Sequence, residues 1–148
     1  MSEMENPVDT VVRLLSQNMH VVKKDGSLAS IVVSREWVDR ELFKNVDGQV
    51  TVGLAESRDT KIEISGRLRR RVGSLRINVW SQDAYIRQKM VEEVNRIVRQ
   101  NRNNPGGNIS YLDVVSYRDV DRVDLKPFIY CTEFTLKSWS FEDIGGVF

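Results

Sequence analysis

Few residues in this chain belong to the types that make or break bonds. Cys131 is the only cysteine and His20 the only histidine among 148 residues. A nucleophilic thiol needs a base within reach, and nothing in the local sequence links these two. Cys131 lies in a strand-like run, where a small buried hydrophobe is expected. A single cysteine excludes an internal disulfide and a cysteine metal cluster. Carboxylates are common, but adjacent ones such as Glu92 and Glu93 on a helical pattern point about 100° apart and do not share a site. Asp119 and Asp121, or Asp59 with Glu63, lack the positioned lysine that a metal nuclease would add to its acids. Neither Pro105-Gly106-Gly107 nor Gly145-Gly146 has the glycine spacing or closing lysine of a phosphate loop. The sequence therefore predicts no catalytic residue, no metal and no cofactor, and it is not read as an enzyme.

The sharpest local feature is basic: Arg67, Arg69, Arg70 and Arg71. If this run straddles a hairpin, its guanidinium groups fan out along one sheet edge. There they can bind phosphate or pair with carboxylates of a neighbouring chain. The plainer alternative is a solvated loop, or an edge guarded by charge against unwanted strand pairing. A formal net charge of +1 supplies no global field toward nucleic acid or membrane. An isolated arginine cluster in such a chain is thin support for nucleic-acid binding. A second feature is the apolar set Trp139, Phe141, Ile144, Val147 and Phe148 around Gly145-Gly146. It reads as an arm that is either disordered or docks on another chain. Trp80, at the end of an alternating run, is expected to cover the rim of the core, with a partner anchor as the alternative.

The elements that must position these residues follow from periodicity. In Val72–Trp80, Leu75, Ile77 and Val79 alternate with Arg76, Asn78 and Trp80, which predicts a strand with one buried face. Ser81-Gln82-Asp83 offers caps for a helix start. Ile86, Met90, Val91, Val94, Ile97 and Val98 then recur at spacings of three and four, predicting an amphipathic helix of roughly four to five turns. Asn101–Asn108, with Pro105 and two glycines, ends it. Earlier, Asn6-Pro7 opens a helix over Pro7–Asn18 whose stripe is Val8, Val11, Val12, Leu15 and Met19. Leu28–Val33 reads as a short strand, and Arg35–Phe43 as a short helix or an irregular piece. Segments 49–56, 60–68 and 70–80 read as an antiparallel meander, with Ser57-Arg58-Asp59 as the first connection. Tyr111–Val115 reads as a short strand, 116–126 as charged and broken, and the run from Pro127 through Leu136 as the last strand.

The predicted fold is α+β, a mostly antiparallel sheet (a β meander) with two helices packed on one face. It forms a single domain over 1–139, with a C-terminal arm over 140–148. The length and an apolar share of 41% suffice for one core. Met1–Pro7 is polar and acidic, unlike a signal peptide, and no apolar run approaches the roughly 20 residues that span a bilayer. Synthesis inside a cell is the resulting expectation.

The stretch Arg71-Val-Gly-Ser-Leu-Arg-Ile-Asn-Val-Trp-Ser-Gln-Asp83, followed by a long helix, resembles the tail-terminator or tail-completion proteins of long-tailed bacterial and archaeal viruses. Val8–Leu15 is similar to their opening helix, and Pro127-Phe-Ile-Tyr-Cys-Thr-Glu-Phe-Thr-Leu136 to their closing strand. The resemblance spans roughly residues 7 to 139. It implies an α+β subunit of a homo-oligomeric ring, commonly a hexamer, at the head-proximal end of the tail tube. Such a ring stops tube polymerisation and joins the tail to the neck of the DNA-filled capsid. Its partners would be the tail tube protein and a neck or connector protein. DNA would pass through the lumen without sequence-specific binding. The location would be the virion, after assembly in the host cytoplasm. On this reading Arg67, Arg69, Arg70 and Arg71 contact an adjacent copy or line the lumen, and Trp139–Phe148 dock on tube or neck. Lys23–Phe43, Asn101–Lys126 and the arginine run depart from the pattern. Two alternatives stay open, another neck component such as a connector or stopper, and a cellular nucleic-acid-binding module.

Overall fold

The computed structural model describes residues 6–35, 38, 43, 45–61, 68–107, 109–121 and 129–143, of which 56–61, 68–71 and 141–143 enter through their backbone alone. The elements are α1 (Pro7–Asn18), β1 (Ile31–Arg35), β2 (Gly48–Lys61), β3 (Leu68–Ser81), α2 (Ala84–Gln100), β4 (Ile109–Asp119) and β5 (Tyr130–Asp143). The strands form one five-stranded sheet in the order β1-β2-β3-β5-β4. All neighbours pair antiparallel except β1 with β2. The fold is α+β, as the periodicities predict.

Both helices begin where side-chain oxygens meet amides that have no partner within the helix. Asn6 Oδ1 accepts from the Val8 N–H at 2.8 Å, and Pro7 occupies the first turn, where a missing N–H costs nothing. Asp83 Oδ1 accepts from the N–H groups of Tyr85 at 2.8 Å and Ile86 at 3.4 Å. At the far end of α2, Asn101 Nδ2 donates to the Ile97 carbonyl at 2.8 Å. The chain then turns through Gly106 and Gly107, whose φ values of 102° and 54° lie in the region that glycine favours.

Burial follows the pleat. Leu75, Ile77 and Val79 of β3, Val50 and Val52 of β2, and Phe134 and Leu136 of β5 share one face of the sheet. They join the stripes of both helices, Val8, Val11, Leu14 and Leu15 of α1 and Ile86, Met90, Val94 and Ile97 of α2, in one core. Each such side chain contributes about 1.5–3 kcal/mol when fully buried. Gly48 marks the tightest approach, since a Cβ there would stand 2.5 Å from Met90 Sδ and 3.0 Å from Ile31 Cδ1. The helices are joined by polar contacts too. Arg96 donates to the Asn18 carbonyl at 3.0 Å, and Glu93 Oε1 accepts from the His20 N–H at 3.0 Å.

At the end of the sheet where α2 begins, Asp47 fastens three segments. Its carboxylate accepts from the Ser30 N–H at 2.8 Å and faces Lys23 Nζ at 3.2 Å, while its carbonyl accepts from Ser81 Oγ at 2.8 Å. Desolvation pushes the Asp47 carboxyl up, but the donors from Ser30 and Lys23 together outweigh it and hold the group below the usual range. Arg87 performs a similar service for α2. Its side chain is only 11% exposed, and Nη1 stands 3.0 Å from Asp121 and 3.3 Å from Asp119.

Several element boundaries differ from the sequence expectation. Ser57-Arg58-Asp59 is not a connection but part of β2, opposite Gly73, Val72 and Arg71. Two predicted segments are therefore one long strand as far as Lys61, and residues 62–67 of the predicted segment 60–68 lie outside the described residues. β4 runs on to Asp119, past a bulge between Val114 and Ser116 that breaks the alternation. β5 continues through residues 140–143, the first part of the expected arm, pairing with β3 as far as Asp143 opposite Leu68. Arg35–Phe43 lies mostly outside the described residues.

Candidate interaction surfaces

The arginine run is placed by backbone register. Arg69, Arg70 and Arg71 lie in β3 opposite Lys61, Thr60 and Asp59 of β2, and opposite Glu142, Phe141 and Ser140 of β5. β3 is the middle strand of the sheet, so these three arginines neither straddle a turn nor occupy a lateral edge. Arg67 lies outside the described residues. The position has a geometric consequence. The 14 residues of β3 extend roughly 46 Å at about 3.3 Å per residue. The 17 residues of α2 cover only roughly 25 Å. The strands therefore outrun the helix that packs on them, and the arginines occupy the projecting end.

Of the expected docking arm, Trp139 and Phe141 belong to β5, opposite Val72 and Arg70. Trp139 is half-buried, with its ring centroid 4.9 Å from that of Tyr111, and Lys137 Nζ stands 4.9 Å above the indole. Ile144, Val147 and Phe148 lie outside the described residues.

The sheet face away from the helices is polar. Glu133 stands between Arg76 at 3.9 Å and Arg118 at 3.8 Å, a charged ladder across β3, β5 and β4. Trp80 Nε1 donates to Thr51 Oγ1 at 3.0 Å, which holds the half-buried indole on this face and not against the helix-packed core. Cys131 is fully buried, with Sγ 3.9 Å from Asn78 Oδ1. A cleft of about 820 Å³ opens over this face beside Thr51, Asn78, Trp80 and Glu133 and reaches Arg35. Its wall is mixed in charge and chemistry, with no convergent set of groups.

A third surface was not anticipated. β4 is an outermost strand, and among the described strands it pairs with β5 alone, with one bridge from Ile109 back to Gly106. Between its outer edge and α2 run two adjoining hollows of about 470 and 450 Å³ that share Asn95, Arg99 and Tyr117. Val115 is 63% and Tyr117 54% exposed beside them. Residues Asn95 and Arg99 stand one turn apart on the polar side of α2, which sequence periodicity reads only as solvated. The bulge at Val115 concealed that Tyr117 follows in the same strand.

Among the described residues no group of three or more His, Cys, Asp or Glu side chains could hold a metal ion. No described helix is long and apolar enough to cross a membrane. No protein-family model matches the chain, and no curated protein matches it in sequence. Among solved structures, the chain is similar to the PVC sheath/tube terminator of an extracellular contractile injection system in its extended state. The TM-score is 0.44 and the identity 11%, over 93% of this chain and 58% of that one. The chain thus spans less than two thirds of the length of that protein.

Proposed function

We propose that this chain is a structural subunit of a phage-like particle, one that forms a ring closing the end of a tail tube and joins it to the neck. The observation that carries the reading is the agreement between the sequence resemblance and the body it implies. An opening helix, a strand ending in Val79-Trp80-Ser81, a long helix and a closing strand occupy the expected places in an α+β fold. The closing strand lies inside the sheet beside the strand that leads into α2. A ring subunit needs a rigid body and more than one surface free to meet neighbours. The projecting strand ends, the charged sheet face and the open β4 edge supply such surfaces. Partners on this reading are further copies in a ring, commonly a hexamer, the tube protein and a neck protein, with DNA passing through the lumen.

The test is to mix the purified chain with polymerising tube protein and to image the products. Tubes should stop at a defined end crowned by a ring of this chain. Tubes that grow unchanged, with no added density at either end, would sink the reading. The arginines belong to the same proposal, as contacts to an adjacent copy or as lumen lining. Reversing Arg69 and Arg71 to Glu should abolish ring formation or tail joining, and unaltered assembly rejects that role.

A further inference from the structure

We infer that copies of this chain join edge to edge, the open side of β4 in one copy pairing antiparallel with the open side of β1 in the next. The inference rests on the subunit reading above and names the strands that link neighbours.

The sheet has two lateral margins, β1 and β4. The start of the β4 margin is closed by its own chain, since the Leu112 N–H donates to the Arg102 carbonyl at 2.8 Å and the Val114 N–H to Asp113 Oδ1 at 2.9 Å. Val115–Asp119 differs: all five residues are exposed, and among the described strands they meet β5 alone. Among the described strands, Ile31–Arg35 of β1 likewise meets only β2. An open strand edge is a template for a further strand.

Direction and register decide which strand fits. β1 runs parallel to β2, and every other pair of neighbours is antiparallel, so β1 and β4 run in opposite directions. Set side by side with the same face forward, they form an antiparallel pair. The two open stretches also share rows. Arg35, Val52, Ile77, Phe134 and Tyr117 make one row across all five strands, and Val33, Val50, Val79, Thr132 and Asp119 make another. A copy placed alongside therefore needs no slide along the strands. The phase of the backbone agrees. The Val120 N–H donates inward to the Cys131 carbonyl at 2.9 Å, so alternation turns the amides of Tyr117 and Asp119 outward. The Ser30 carbonyl accepts from the Gly48 N–H at 3.2 Å, which in the same way turns those of Val33 and Arg35 outward. In both rows outward groups meet outward groups, as an antiparallel ladder requires.

The side chains are complementary. Both rows run through core residues, so Tyr117, Asp119, Val33 and Arg35 lie on the helix side. Tyr117 falls opposite Arg35 of the neighbouring copy, and Asp119 stands diagonal to the same guanidinium. Arg35 is 49% and Asp119 63% exposed, so each keeps room for a partner beyond Asp9 and Arg87. The pairing also brings the neighbour's Asp9, held 3.1 Å from its Arg35, toward the basic hollow walled by Asn95, Arg99, Arg102 and Tyr117. The two edges are different surfaces, so the contact repeats from copy to copy, as a ring requires.

Disulfide trapping between full-length chains tests the pairing. Ser34 and Arg118 also end one row, through Thr51, Asn78 and Glu133. Across the contact they form a non-hydrogen-bonded pair with Cα atoms about 4.5 Å apart, within disulfide range. Chains carrying Ser34→Cys are mixed with chains carrying Arg118→Cys and oxidised, with the native Cys131 buried out of reach. The control replaces the second variant with Ser110→Cys, exposed at the closed start of β4. A covalent heterodimer is expected from the first mixture and none from the control. Adding Tyr117→Pro, which removes an outward N–H and no bond to β5, should abolish the crosslink and leave the circular-dichroism spectrum unchanged. No heterodimer, equal yields with the control, or a crosslink indifferent to Tyr117→Pro overturns the inference. So does a homodimer of the Arg118→Cys chain alone, the mark of β4 pairing with itself about a two-fold axis. Repeating the trap with polymerising tube protein separates the two claims. Capped tubes without the crosslink sink this contact alone, and a crosslink beside unchanged tube growth upholds the contact while the tube-closing role fails.

Discussion

At the scale of single residues, this protein spends its charged groups on joints. Asp47 is the clearest case, binding Ser30, Lys23 and Ser81 at once. Asp47→Asn should lower stability by about 1 kcal/mol at neutral pH, read from urea denaturation. The sign of the pH effect follows from the lowered carboxyl. A depressed value means that the native state favours the charged form, so the contribution is complete above the unfolded value. It is lost as pH falls through the folded value below that. The parent protein should therefore lose stability on acidification below about pH 4, and the Asn variant should lose less. Arg87 is the counterpart in α2. Among the described residues, Arg87→Met would leave Asp121 the Cys131 N–H as its remaining donor, and should cost about 2 kcal/mol. The figure is held down because Asp119 is largely solvated.

At the scale of elements, close approach matters most where β2 starts beneath α2. Gly48→Ala must displace the end of Met90 inside a filled core, and should cost about 1–3 kcal/mol in thermal or chemical unfolding. Legibility from sequence divides along the same lines. Helices α1 and α2, their caps and the buried face of β3 were readable, because their apolar spacing repeats without interruption and capping residues flank them. Strand ends were not. Leu68–Arg71 shows no apolar alternation, yet pairing with strands on both sides carries it into the sheet. Val115 and Ser116 fall out of phase because a bulge inserts one residue, so β4 looked shorter than it is. Of the proposed contact residues, the arginines were visible as a cluster but not as a central strand. Asn95, Arg99, Arg102 and Tyr117 converge only through pairing between distant segments, which no local pattern encodes.

At the scale of the whole molecule, each interface claim has a distinct readout. Removing residues 144–148 deletes no described element, so the truncated chain should keep its helix and strand signature in circular dichroism. It should fail to join tube or neck, and a joining-competent truncation would contradict the docking role of the arm. Charge reversal in β3 probes the projecting end instead. A double variant at Arg69 and Arg71 should unfold normally while ring closure fails.

The lone thiol adds a convenience that no engineering has to supply. Cys131 lies at zero exposure in the strand between β3 and β4, so an alkylating reagent reaches it only when that part of the sheet parts. Its labelling rate is a built-in clock for sheet opening, and the opening free energy comes from comparison with the unfolded chain. Assembly that clamps the sheet from both margins should slow that clock, and the slowing can be read on unmodified protein inside a finished particle.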